Sequence, residues 1–166
     1  MRFTLIDRVV VLEPNEKITA VKTLTMAEEY LADHFPHFPV MPGVLMLEAM
    51  TQASAWLVRA SEDFAHSMVV LKKAANVKYG QFVEPGQTLT VKAKLLKMPD
   101  GEARLKVKGL VDDEVTVSGR LVLARYNLAG RVPQGEEIDM ATRKELRALW
   151  ALLRQPAPDD PELAPQ

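Results

Sequence analysis

One long segment of the chain is apolar on nearly every side, and it limits the folds that the other residues can adopt. Residues 44–60 read VLMLEAMTQASAWLVRA and follow Pro42 and Gly43 directly; their only polar residues are Glu48, Thr51, Gln52, Ser54 and Arg59. Proline suits the first turn of a helix, and about 17 residues give a helix on the order of 25 Å long. A helix that is apolar nearly all round must be buried nearly all round. We therefore expect the remaining chain to wrap around it.

The segments on both sides of this helix have the pattern of β-strands. RFTLIDRVVVLEP and EKITAVKTLT flank the turn-like EPNEK, and SMVVLKKAANVKY, QTLTVKAKLLK, EARLKVKGLV and EVTVSGRLVLARY follow the helix. In TLTVKAKL the apolar residues share one face and the threonines and lysines share the other, so one face is dry and one is wet. Short turns favour antiparallel pairing, and no regular strand–helix alternation indicates a parallel sheet. The expected fold class is α+β, with a long central helix wrapped by an antiparallel sheet.

Composition excludes several classes of function. The 166 residues and 48% hydrophobic content suit one domain with a real core, and the absence of cysteine excludes disulfides, thiolate nucleophiles and cysteine metal sites. The net charge is −1 and no run of basic residues is longer than Lys72–Lys73, so we expect no nucleic-acid partner. Charged residues interrupt the N-terminus where a signal peptide is apolar, and no stretch has the roughly 20 apolar residues of a membrane span. We expect a soluble, cytoplasmic protein with no membrane partner.

Glu48 and His34 are the candidate catalytic residues. A carboxylate inside a buried helix costs several kcal/mol unless it is paired or protonated. The simplest interpretation puts Glu48 on a solvated stripe, bonded to Gln52 or Thr51, and makes His34 an ordinary turn residue. Together, however, these residues supply what an elimination reaction needs. They are an acid, an imidazole 14 residues earlier, and a Pro-Gly helix start with free N–H donors.

A metal site is the first rival interpretation of the same residues. His34, His37 and Glu48 could act as ligands, but Pro36 lies between the histidines and Pro39 follows them. These prolines prevent the helical i, i+3 presentation that a compact zinc site often uses. We therefore expect neither a metal nor another cofactor.

The stretch DHFPHFPVMPGVLMLEAMTQ, residues 33–52, strongly resembles a motif of the bacterial 3-hydroxyacyl-acyl-carrier-protein dehydratases of the FabZ type. That motif is G-H-F-P-x-x-P-x-M-P-G-V-L-x-x-E-A-M-A-Q, and here the histidine, the three prolines and the glutamate stand at the same spacing. VKTLT, VKYGQFVEPGQTL and EVTVSGRLVLA are similar to further segments of the family, so the resemblance covers roughly residues 3–126. It implies the hot-dog fold, which agrees with the arrangement that periodicity predicts.

The resemblance implies a role for each matching residue. His34 would remove the α-proton of a 3-hydroxyacyl thioester, and Glu48 would protonate or polarise the departing 3-hydroxyl, leaving a trans-2-enoyl thioester. The N–H of Gly43 would donate to the thioester oxygen at the start of the helix. The further candidate substrate-binding residues are Gln52, Tyr79 and Phe82. Tyr79 and Phe82 would line the acyl tunnel, although an aromatic residue in a strand is more often part of the core.

The resemblance also implies partners. In this family the histidine and the glutamate of one site come from different subunits, so we expect a homodimer, possibly assembled as a trimer of dimers, that acts on substrates carried by acyl carrier protein. Residues 80–82, Gly-Gln-Phe, stand where the family usually has a basic residue and a proline, and that basic residue often helps to hold the acidic carrier. Asp33 replaces the glycine before the histidine. Thr51 replaces the alanine before Gln52, and neither of these last two replacements removes a catalytic group.

Two other functions remain open on the same fold. One is an acyl thioesterase, and the other is a non-catalytic module that binds an acyl chain or a carrier. The retention of both His34 and Glu48 argues against the non-catalytic module. The residues do not decide whether the acyl group is carried by a carrier protein or by coenzyme A.

Residues 127–155 lie beyond the resemblance and are expected to form a helical extension of the domain at residues 1–126. The segment TRKELRALWALLR places four apolar side chains on one helical stripe: Leu146, Leu149, Trp150 and Leu153. Thr142 and Glu145 have the spacing of a capping box at the helix start. This amphipathic helix either packs on the domain or a neighbouring subunit, or borders the tunnel and alters which acyl chains enter. The Pro-rich residues 156–166 are expected to be extended or disordered.

Overall fold

A long helix and an antiparallel sheet dominate the computed structural model, which describes residues 3–154. The strands are β1 (Arg8–Glu13), β2 (Lys17–Thr23), β3 (Met68–Tyr79), β4 (Thr88–Lys97), β5 (Glu102–Val111) and β6 (Glu114–Tyr126). The long helices are α1 (Gly43–Ser61) and α2 (Gly135–Leu153). Within the described residues the strands form one sheet in the order β1-β2-β4-β5-β6-β3, and every neighbouring pair is antiparallel. The prediction for residues 156–166 lies outside the described residues.

The alternation of apolar and polar residues along the strands decides which face of the sheet covers α1. Leu89, Val91 and Ala93 are buried, whereas Lys92 and Lys94 are exposed. The buried face packs on α1, whose innermost side chains are completely enclosed: Ala49, Met50, Ala53, Leu57 and Val58. The predicted α+β fold, with a central helix wrapped by an antiparallel sheet, is confirmed. Within residues 3–154, no helix is long and apolar enough to cross a membrane.

The outer face of the sheet concentrates positive charge, which a search for basic runs does not detect. Strand pairing aligns Lys17 with Lys94, Lys94 with Lys106, and Lys106 with Arg120. These cations alternate with apolar residues along each strand, so only the register of the sheet brings them together. The exposed cations that line this surface are Lys17, Lys78, Lys92, Lys94, Lys106, Lys108 and Arg120, and we call this set the outer basic face. Like charges directly opposite each other destabilise a sheet, so this face lowers the stability of the isolated molecule.

The second helix begins earlier than the local pattern predicts. It starts at Gly135, with Gln134 as its N-cap residue, so Thr142 lies inside the helix and the predicted capping box is wrong. The first turns are held instead by Asp139, which is 1% exposed. Its carboxylate accepts hydrogen bonds from the N–H groups of Leu128 and Ala129, both at 2.9 Å, and from the hydroxyl of Ser67. Distant contacts of this kind leave no local sequence signal.

The apolar stripe of the second helix faces the domain as predicted. Trp150 stacks on Trp56 of α1 with ring centroids 5.5 Å apart, and Leu153 is 4% exposed. At the rim Arg147 forms an ion pair with Asp63 at 2.9 Å. The extension therefore covers the C-terminal half of α1.

Candidate active site

His34 lies in a compact loop between a short 3-10 helix, Glu29–Leu31, and α1. Its backbone N–H donates to the carbonyl oxygen of Tyr30, and its carbonyl oxygen accepts from the N–H of Val40, both at 3.1 Å. The prolines of this loop restrict the backbone further. The half-buried imidazole is therefore attached to a backbone that is fixed on both sides.

The hydrogen bond of the imidazole selects its tautomer. Nδ1 of His34 lies 3.1 Å from the carbonyl oxygen of Val40. A carbonyl oxygen can only accept, so Nδ1 carries the proton and donates it to this bond. In the neutral ring, Nε2 then holds the free lone pair. His34 therefore has the protonation pattern that a general base needs.

The imidazole opens onto a cavity of about 480 Å³ with an aromatic rim. The aromatic side chains around it are unusually exposed: Phe35 50%, Phe38 47%, Tyr79 52% and Phe82 61%. Phe38 and Phe82 meet edge to face, with centroids 5.6 Å apart. Tyr79 and Phe82 thus line the His34 cavity and do not belong to the core, whereas Phe35 and Phe38 are additions that sequence reasoning missed. A cluster of exposed aromatic rings indicates a surface that binds a ligand or a partner.

The first turn of α1 borders the same cavity through Gly43. Among the described residues no side chain caps this end, so the helix start keeps N–H groups that have no partner inside the helix. A Cβ atom at Gly43 would lie only 3.0 Å from Cε1 of Tyr79, so glycine is what allows the tyrosine ring to lie over the helix start. The N–H donors and the positive end of the helix dipole suit an oxygen that gains negative charge.

Glu48 is held in place by Gln52, one turn further along α1. Nε2 of Gln52 donates to Oε1 of Glu48 at 2.9 Å. The same amide accepts from the N–H of Leu5 at 2.8 Å and donates to the carbonyl oxygen of Phe3 at 3.1 Å, which fixes its orientation. The structure thus places Gln52 as a residue that positions Glu48. It also leaves the second carboxyl oxygen of Glu48 without a hydrogen bond to any described residue.

Glu48 lines a second cavity, of about 360 Å³. Its walls come from α1, from the start of β3 and from α2, and they include Ala55, Arg59, Val69, Leu146 and Leu149. Sequence reasoning assigned no function to Arg59. The spacing of Glu48, Ala55 and Arg59, seven and then four residues, places them on one helix face and is the signal that could have identified it.

The two cavities lie on opposite sides of α1 and, within the described chain, share no lining residue. Met46 lines the His34 cavity and Glu48 lines the other. On a helix with 3.6 residues per turn, residues that are two positions apart in sequence, such as these, point in directions about 200° apart around the axis. One chain therefore does not bring His34 and Glu48 to the same cavity.

The same residues do not form a metal-binding cluster. Across residues 3–154 there is no group of three or more His, Asp or Glu side chains that could hold a metal ion.

Comparison with known proteins identifies the family. The family model of the FabA-like domain matches residues 1–124, which include His34 and Glu48 but end before α2. A 3-hydroxyacyl-acyl-carrier-protein dehydratase FabZ from Variovorax paradoxus is 39% identical over 125 residues, covering 74% of this chain and 83% of that protein. Its counterpart from Ruminiclostridium cellulolyticum is 38% identical over 122 residues, covering 74% and 86%.

Solved structures show the same fold. The dehydratase heterocomplex ApeI:P from Xenorhabdus doucetiae matches with a TM-score of 0.64 at 20% identity, covering 76% of this chain and 85% of that one. The hot-dog architecture is thus confirmed by an independent structure. The family model and the two dehydratases give the family assignment. The chain belongs to the FabA-like family and, within it, to the FabZ-type 3-hydroxyacyl-acyl-carrier-protein dehydratases.

Proposed function

We propose that the protein dehydrates 3-hydroxyacyl thioesters carried on acyl carrier protein to trans-2-enoyl thioesters, in fatty-acid biosynthesis. Each active site combines His34 of one subunit with Glu48 of the partner subunit. The FabZ relatives support the reaction, because their names state this activity, and the match to the FabA-like family model extends over both residues.

The position of β3 in the sheet is the observation that carries this proposal. In the described chain β3 is an edge strand, paired on one side only with β6, and its 12 residues make a long edge. Long unpaired edges tend to pair with another strand. The start of β3, at Val69, lines the Glu48 cavity, and its end, at Tyr79, lines the His34 cavity. Antiparallel pairing of two copies of β3 about a two-fold axis sets the start of one strand beside the end of the other.

A dimer built in this way brings the Glu48 cavity of one subunit next to the His34 cavity of the other. The exposed aromatic rim around His34 then becomes buried between subunits, which removes an apolar patch from water. The same geometry repeats at the second site by symmetry. The smallest active unit is therefore a dimer.

The reaction divides between the two residues as follows. Nε2 of His34 takes the proton from C2 of the substrate, and the thioester oxygen gains negative charge while it accepts a hydrogen bond from the N–H of Gly43. As the C2=C3 double bond forms, the C3–O bond breaks and Glu48 of the partner subunit gives its proton to the leaving hydroxyl, which departs as water. The proton on His34 afterwards returns to Glu48, so the enzyme is unchanged. Gln52 holds the carboxyl group in position throughout.

The outer basic face supports an acidic carrier protein as the substrate carrier. The family's usual basic residue is missing at residues 80–82, but seven cations gather on the neighbouring sheet surface. Lys78 belongs to this face and directly precedes Tyr79 at the His34 cavity. Charge complementarity of this kind increases the rate of association and orients the partner.

A product assay tests the proposed reaction. The purified protein is incubated with (3R)-3-hydroxyacyl carrier proteins of several chain lengths, and the acyl group is followed by mass spectrometry. We expect the loss of one water per acyl group, with the thioester intact. Release of free carrier thiol without an enoyl product would contradict dehydration and would indicate a thioesterase.

A further inference from the structure

The cavity that contains Glu48 has a positively charged residue at its far end. Glu48 and Arg59 line the same cavity and are 11 residues apart on α1, which corresponds to about 16 Å along a helix that rises 1.5 Å per residue. Between them the helix presents Ala55, a small side chain that leaves space. The cavity thus runs along one face of α1, from the candidate catalytic carboxyl group to a guanidinium.

Arg59 is poorly satisfied by its surroundings. Its Nε atom is buried and has no hydrogen-bond partner, and Nη2 lies 3.4 Å from the carbonyl oxygen of Val69. The guanidinium carbon sits 5.4 Å from the ring centroid of Trp56. Within residues 3–154 no carboxylate forms an ion pair with Arg59, and burial lowers the pKa of its guanidinium to about 10. A half-buried cation without a counter-ion costs free energy, because part of its hydration is lost.

Two neighbouring arginines, unlike Arg59, have a carboxylate as counter-ion. Arg125 forms an ion pair with Glu62, immediately after the end of α1, and Arg147 forms one with Asp63. Glu62 and Asp63 are thus already engaged by other cations. A counter-ion for Arg59 would come from outside the described chain.

The second helix forms the wall at this end of the cavity. Leu146 and Leu149 line it, and Trp150 stacks on Trp56 beside Arg59. This helix lies beyond residue 124, where the match to the FabA-like family model ends. This end of the cavity is therefore built partly from residues that the family model does not cover.

We propose that Arg59 and the wall from the second helix form a subsite for an anionic group, such as a carboxylate, at the distal end of the substrate's acyl chain. The inference rests on the proposed function, because it requires the acyl chain to extend from Glu48 along α1. A methyl-terminated chain that reaches Arg59 removes water from the guanidinium and offers no partner. A carboxylate at the same place forms charge-assisted hydrogen bonds with it.

The test compares two series of 3-hydroxyacyl pantetheine thioesters of equal lengths, one with a terminal methyl group and one with a terminal carboxylate. The measured quantity is the ratio of kcat/KM for the carboxylate substrate to that for the methyl substrate. In the wild-type protein we expect a ratio above one at the lengths that reach Arg59, and a ratio that falls at shorter lengths. A wild-type ratio below one at every length would overturn the proposal without any variant.

Arg59→Met removes the charge and keeps an apolar side chain of similar length, so we expect the ratio to fall roughly tenfold or more. Arg59→Lys keeps the charge and should retain part of the preference. Arg131→Met, an exposed arginine outside the cavity, is the matched control. An unchanged ratio in Arg59→Met would contradict the subsite.

Short methyl-terminated substrates distinguish a failure of the proposed dehydratase function from a failure of the anionic subsite. If the wild-type protein converts none of them to an enoyl product, the proposed dehydratase function fails. If it converts them and the ratio at longer lengths is insensitive to Arg59, only the anionic subsite fails.

Discussion

At the scale of single residues, the tautomer of His34 decides which nitrogen can act as a base. The bond from Nδ1 to the carbonyl oxygen of Val40 leaves Nε2 free. We expect His34→Ala to lower kcat by at least a few hundredfold, since general-base catalysis typically contributes about 10²–10⁴. His37→Ala, an exposed histidine in the same loop, is the control and should keep most of the activity. Comparable losses in steady-state dehydration assays of the two variants would contradict the assignment.

Glu48 can be tested by an isosteric change. Glu48→Gln preserves the size of the side chain and keeps an oxygen that can accept from Nε2 of Gln52, but it has no acidic proton to give. We therefore expect an unchanged fold and oligomeric state, by circular dichroism and size-exclusion chromatography, with turnover reduced at least about a hundredfold. Turnover near the wild-type rate would make Glu48 a structural residue.

The sequence names candidate residues for the site more readily than it shows their surroundings. His34, Gly43 and Glu48 stand in one contiguous motif, so they can be chosen as candidates without a structure. The contact of Gln52 with Glu48 is a one-turn helical pair and was foreseen in the simplest interpretation. The half-buried position of Arg59 depends on how β3 and the second helix pack on α1, and neither packing is visible in the local sequence pattern.

At the scale of secondary-structure elements, Asp139 is the main anchor of the second helix. Burial alone would raise the pKa of this carboxyl group, but hydrogen bonds from Ser67, Leu128 and Ala129 outweigh it and hold the pKa below its usual value. Asp139→Asn replaces one acceptor oxygen by an amide that cannot accept. We expect a lower midpoint of urea unfolding at pH 7, by a clearly measurable amount.

The pH dependence of that effect follows from the direction of the pKa shift. A carboxyl group whose pKa is lower in the folded state stabilises the fold fully above its unfolded pKa of about 3.9, and this contribution is lost as the pH falls through the folded pKa. The difference between wild type and Asp139→Asn should therefore shrink in strong acid. Equal unfolding midpoints at pH 7 would show that Asp139 does not anchor the helix.

The elements themselves were largely predictable, because their signals are periodic. Six strands and a central helix lie where alternation and all-round apolarity indicate, and the stripe of the second helix was also correct. Its start at Gly135 was not predicted, since a carboxylate that accepts from Ser67, 72 residues away in sequence, holds it there. Contacts of that separation are set by tertiary structure.

At the scale of the whole molecule, the outer basic face destabilises the isolated sheet, and we propose that it holds the acidic carrier protein. We expect Lys94→Glu combined with Lys106→Glu to raise KM for substrates on acyl carrier protein severalfold, because it reverses charge at the centre of the face. KM for pantetheine thioesters should hardly change. Lys144→Glu, an exposed lysine on the second helix, is the control. Equal effects on both kinds of substrate would exclude the face as the carrier's docking surface.

In the proposed dimer, each active site is shared between two subunits. The most direct measurement mixes inactive His34→Ala protein with inactive Glu48→Gln protein, allows subunits to exchange, and follows enoyl formation. A heterodimer of the two variants has one site with both residues intact and one with neither, so we predict that a substantial part of the wild-type activity returns. No recovery of activity, after mass spectrometry has verified that heterodimers form, would contradict the claim and would place both residues in a site within one chain.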